Sequence, residues 1–88
     1  MKLRGDFVVR RVMDNNVAIP VGDTALRING MIHLNDVSMV IWEALAKDCV
    51  LDDIVLSVTE KFEVSENEAR TDIIEFLDVL RQAQLLDE

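Results

Sequence analysis

At Asn35-Asp36 the spacing of apolar residues changes from alternation to a helical period, and this change limits the fold more than any other feature. Before it, Met31-Ile32-His33-Leu34 alternates, placing Met31 and His33 on one strand face and Ile32 and Leu34 on the other. After it, Val37, Val40, Ile41, Ala44 and Leu45 fall at i, i+3, i+4, i+7 and i+8, one buried helical stripe. Asn35 suits a helix N-cap, and the negative charge of Asp36 favours the N-terminus that follows. A short strand therefore runs directly into a helix. The order is strands first and helices after, an α+β chain.

The first third reads as strands. Phe7 to Met13 is rich in β-branched residues, Asp14-Asn15-Asn16 is a turn signal, and Val17 to Val21 is a second short run. Together they predict a β-hairpin, with Pro20 at a strand end or edge because it cannot donate to a ladder. Thr24 to Asn29 fits either strand or an ordered loop, and Asn29-Gly30 turns the chain into the third strand, Met31–Leu34. The expectation is a three-stranded antiparallel sheet followed by three helices.

Met39, Trp42 and Ala46 give the first of these helices a second apolar face, so it should be central. The second runs from about Leu51 to Phe62 with Ile54, Val55, Val58 and Phe62 inward, although Val50 occupies a position that favours serine or threonine. The third opens with the capping box Ser65-Glu66-Asn67-Glu68. Its core stripe is Ala69, Ile73, Phe76, Leu77 and Leu80, flanked by Arg70, Ile74 and Arg81 on one side and by Val79 and Ala83 on the other.

The chain has 88 residues, half of them apolar, which suffices for one domain with one core. A net charge of −8 argues against nucleic-acid binding, which draws its affinity from neutralising phosphates. Four of the nine basic residues (Lys2, Arg4, Arg10, Arg11) lie in the first eleven, while Asp48 to Glu88 is mostly acidic. The N-terminus lacks the apolar run of a signal peptide, and no stretch reaches the roughly 20 apolar residues that span a bilayer. With Cys49 as the one cysteine, the expected setting is the reducing cytoplasm.

Catalytic chemistry needs convergent groups, and few are on offer. One histidine and one cysteine cannot build a histidine- or cysteine-rich zinc site, and nothing places His33 beside Cys49 as a nucleophile–base pair. His33 is expected to face solvent or the sheet edge, and Cys49 to be a small buried hydrophobe near a helix end. Gly5, Gly22 and Gly30 are isolated, so there is no phosphate loop. The carboxylates Asp52-Asp53 and Glu66 to Glu68 are accounted for by helix N-termini, and Trp42 by core packing. The expectation is a binding module, not an enzyme, without cofactor or metal.

Gly30-Met31-Ile32-His33-Leu34-Asn35, followed by Ile41-Trp42-Glu43-Ala44-Leu45, resembles the signature of the PqqD-like family. Phe7 to Arg10, Pro20-Val21-Gly22 and Asp72 to Leu77 with Leu80 have counterparts there, so the resemblance runs from about Gly5 to Leu86. Two departures stand out: Gln84 where the family usually has glycine before the final Leu-Leu, and Val50 before the second helix. The resemblance implies a winged-helix-like fold that binds the leader segment of ribosomally made, post-translationally modified precursor peptides. It also implies presentation of that segment to a modifying enzyme, often of the radical S-adenosylmethionine type. In the family the leader docks as an added strand beside the third strand, in a groove shared with the third helix. Carried onto this chain, the edge is Met31, Ile32, His33 and Leu34, and the helical wall is Arg70, Ile73, Ile74, Leu77 and Arg81, the arginines pairing leader carboxylates. A structural or chaperone subunit for a folded partner is the competing reading. A winged-helix nucleic-acid binder is disfavoured because the third helix carries Glu66, Glu68, Asp72, Glu75 and Asp78 against two arginines. A free sheet edge could also pair with a second copy of the chain.

Overall fold

The computed structural model describes residues 1–88. In chain order the elements are β1 (Lys2–Leu3), β2 (Phe7–Val12), β3 (Asn15–Pro20), α1 (Asp23–Arg27), β4 (Ile32–Leu34), α2 (Asp36–Ala44), α3 (Leu51–Lys61), α4 (Glu66–Gln82) and β5 (Leu86–Asp87). The fold class is the expected α+β, with a three-stranded antiparallel sheet and three main helices. The residues fall into two compact units, Gly5–Asp36 and Met1–Arg4 with Val37–Glu88.

In the first unit the sheet order is β2-β3-β4. The hairpin register pairs Val12 with Asn15, so the connection is two residues long, Met13 and Asp14. Both have positive φ, 49° and 68°, as a two-residue hairpin turn of the primed type requires. The turn thus lies earlier than Asp14-Asn15-Asn16, and Asn15 and Asn16 are strand residues facing Val12 and Arg11. Register explains the shift. Val17 and Ala18 are 2% and 0% exposed, and a one-residue slip would exchange the faces of the whole strand. Pro20 ends β3 opposite Phe7.

Thr24 to Asn29 is neither strand nor loop at its start but the single turn α1, closed by Ala25 N–H to Gly22 O and Ile28 N–H to Thr24 O, both 3.1 Å. Hydropathy could not reveal it, because the polar Thr24 is buried and Leu26 is 85% exposed. The Thr24 Oγ1 accepts from Asp6 N–H at 2.8 Å, which satisfies both groups. Gly5 passes close by with φ 108°, and a Cβ there would lie 3.0 Å from Thr24 Oγ1.

In the second unit the core is Val40, Ile41, Trp42 and Leu45 with Ile54, Val55 and Val58 and with Ala69, Ile73, Leu77 and Leu80. They come from the stripes expected from helical spacing, of which Val37, Ala44, Phe62 and Phe76 are half-buried, while Ala46 on the second face of α2 is exposed. α3 begins without a side-chain acceptor at Val50, but Asp53 reaches back to Val50 N–H at 3.1 Å and supplies half of a capping box. At α4, Ser65 Oγ accepts from Glu68 N–H at 3.1 Å. β1 and β5, unforeseen in the sequence, pair Lys2 with Asp87 and Leu3 with Leu86. Leu3 and Arg4 also donate to Leu45 O and Leu85 O, so the chain ends close this unit.

Candidate functional site

β4 is bonded to β3 along one side only, with Leu34 opposite Asn16, His33 opposite Val17 and Ile32 opposite Ala18. Its other side carries backbone N–H and C=O groups with no strand to meet them, the arrangement that accepts an added strand. The strand starts at Ile32, so Met31 stands just before the ladder, with its side chain 51% exposed. Ile32 is half-buried, His33 is exposed and Leu34 is 4% exposed. The alternation read from the sequence is the alternation observed, and it leaves Leu34 as a core residue.

The α4 residues divide sharply. Ile73 and Leu77 are 0% and 3% exposed, so they hold the helix in its core and offer a ligand almost no surface. Ile74 is 44% exposed on the neighbouring flank. Arg70 and Arg81 lie on that flank too, four and seven residues away.

Neither arginine is uncommitted. Arg70 Nη2 reaches Asp52 Oδ1 at 2.6 Å and Glu66 Oε1 at 3.0 Å, tying α4 to α3. Arg81 grips Glu88 in a fork, Nε to Oε2 at 2.8 Å and Nη2 to Oε1 at 2.9 Å, and also bonds Asp78. These carboxylates raise the pKa of both guanidinium groups, and Arg81 in turn holds the Glu88 carboxyl below the usual range, chiefly by hydrogen bonding. A leader carboxylate would have to displace or share partners already in place. The spacing Glu66–Arg70 is a legible i,i+4 pair. Asp52 and Glu88 as partners were not legible, because helix packing and the chain terminus bring them in.

Cys49 is half-buried between α2 and α3, and burial raises its thiol pKa. No group of three or more His, Cys, Asp or Glu side chains is placed to hold a metal ion. No helix is long and apolar enough to cross a membrane.

A three-stranded sheet with an open β4 edge, joined in sequence to three helices, defines a fold also seen in a solved structure, "TbiB1 in Complex with the TbiA(beta) Leader Peptide". The two share a TM-score of 0.73 at 22% identity, over 99% of this chain and 95% of that one. The family model of coenzyme PQQ synthesis protein D (PqqD) matches residues 16–86, and the chain belongs to that family. No curated protein sequence matches it.

Proposed function

We propose that the whole chain is one non-catalytic recognition module that captures the leader segment of a ribosomally made precursor peptide by strand addition at β4. The observation that carries this reading is the one-sided pairing of β4, in a chain of the PqqD family. It is supported by a shared fold with TbiB1, whose solved structure contains a leader peptide. Backbone bonds along Ile32–Leu34 would supply affinity, while Met31, Ile32 and His33 would read alternate leader side chains. On α4 the reading falls mainly on the exposed Ile74. Arg70 and Arg81 enter by exchanging an intramolecular carboxylate for one from the leader, and Ile73 and Leu77 act by keeping the helix in place.

Holding the leader raises the effective concentration of precursor at a modifying enzyme, for which a radical S-adenosylmethionine protein is the expected type. The module works in the cytoplasm and does no chemistry of its own. The test is fluorescence anisotropy with the labelled leader of the neighbouring precursor gene, including single N-methyl substitutions along its backbone. Strand addition predicts a Kd of about 10 μM or tighter, roughly −7 kcal/mol, with binding lost at alternate N-methyl positions only. Absent binding at tens of micromolar sinks the proposal. Losses without an every-second-residue pattern remove the strand mechanism.

A further inference from the structure

A hollow of about 520 Å³ lies between α3 and α4, and the leader reading makes no use of it apart from Arg70. Val55, 4% exposed, and the half-buried Val64 form its base, and Leu56, 58% exposed, stands at its mouth. The rim is charged. Arg70 engages one oxygen of Asp52 and one of Glu66, so two carboxylates share one guanidinium and the rim keeps a net negative charge. Asp53, Glu60 and Glu63 add further negative charge on α3 and its connection to α4, where Lys61 is the one cation.

An exposed leucine over an apolar base, ringed by excess carboxylate, is complementary to one kind of surface. That surface presents an aliphatic anchor beside a cationic head. Lysine and arginine carry both, since their stems lie on apolar surface while the charge meets the rim. The field of the surrounding carboxylates would steer such a segment in and repel acidic ones. A second copy of this chain, at net charge −8, is a poor electrostatic match.

We propose that the α3–α4 hollow docks a basic, apolar segment of the modifying enzyme, with a cation at Asp52 and Glu66 and an aliphatic side chain on Leu56. Only the enzyme's identity rests on the function proposed above; the chemistry of the segment rests on the hollow. The module would then hold its substrate at β4 and its enzyme at α3–α4.

The experiment titrates the full ¹⁵N-labelled chain with an amphipathic Lys/Leu helical peptide and with its Glu/Leu twin, then with the purified modifying enzyme. The Lys/Leu peptide should shift resonances around Leu56 and Val64, and the Glu/Leu peptide should leave them in place. Leu56→Ser, at an exposed position, should weaken both the Lys/Leu peptide and the enzyme at least about tenfold while leader affinity is unchanged. Arg70→Gln removes the rim's own cation, so a folded variant should bind the Lys/Leu peptide more tightly. Shifts mapping elsewhere, equal binding of the two peptides, or an unaltered Leu56→Ser affinity would overturn the proposal. Concentration-dependent dimerisation abolished by Leu56→Ser would assign the hollow to a second copy instead, and so overturn it too. Leader binding without enzyme docking at this surface refutes the hollow alone. Docking without leader binding refutes the leader reading alone.

Discussion

Replacing Gln84 by glycine should stabilise this protein, and the margin follows from how α4 ends. The helix closes in a Schellman motif, with Leu85 N–H on Leu80 O at 2.8 Å and Gln84 N–H on Arg81 O at 3.0 Å. That motif needs a left-handed residue after the cap, and Gln84 supplies it at φ 60°. An L-residue in this region costs about 1–2 kcal/mol, whereas glycine enters it freely. Glycine's greater freedom in the unfolded chain takes back about 0.5–1 kcal/mol. The expected net gain is about 1 kcal/mol, which raises Tm by about 4–8 °C in a domain of this size. Gln84→Ala keeps the same left-handed penalty and should leave Tm nearly unchanged. Thermal unfolding followed by circular dichroism gives both values. A glycine variant no more stable than the alanine variant would refute the argument, because the backbone would then not be under strain. The motif is otherwise well supported, since Leu80 and Leu85 are 0% and 1% exposed.

At the opposite extreme is Gly5→Ala, where φ 108° and a Cβ 3.0 Å from Thr24 Oγ1 combine strain with loss of the Asp6–Thr24 bond. A loss of about 2–4 kcal/mol is expected in urea unfolding, and a change under 0.5 kcal/mol would contradict the geometry. Met13→Asn with Asp14→Gly suits the two-residue turn and should raise Tm by a few degrees, roughly 1 kcal/mol; a fall would mean the hairpin turns elsewhere. Because Arg81 depresses the Glu88 pKa, that pairing contributes stability above the unfolded carboxylate range near pH 4 and loses it as pH falls through the folded value. Glu88→Gln should therefore lower Tm at pH 7 but not at pH 2, and equal losses at both would count against it. Alkylation of Cys49 should have its pH midpoint above that of a free thiol, near 8.5, since burial raises it. A midpoint at or below that value would show the thiol open to solvent.

What the sequence determined by itself was local and periodic. Alternation around His33 and the 3.6-residue spacing after Asn35 specified β4 and the buried faces of α2, α3 and α4, because each depends on neighbours within a turn or a strand. The family signature was legible for the same reason: it consists of short motifs in fixed order. Even the unusual Gln84 could be read as a departure, although only the backbone showed it held in a left-handed cap. Tertiary structure decided whatever joins distant residues or ranks one buried position over another. The helix α1 escaped notice because its buried residue is Thr24, whose partner lies 18 residues back. The pairing of β1 with β5 unites the two chain ends. Ile73 and Ile74 both stood in the expected helical wall, yet packing leaves one wholly buried and the other 44% exposed. In sequence Arg70 shows only its i,i+4 partner Glu66, and the approach of α3 adds Asp52 and shapes the hollow beside it. Periodicity tells which face of a helix is apolar; what packs against that face is a property of the folded chain.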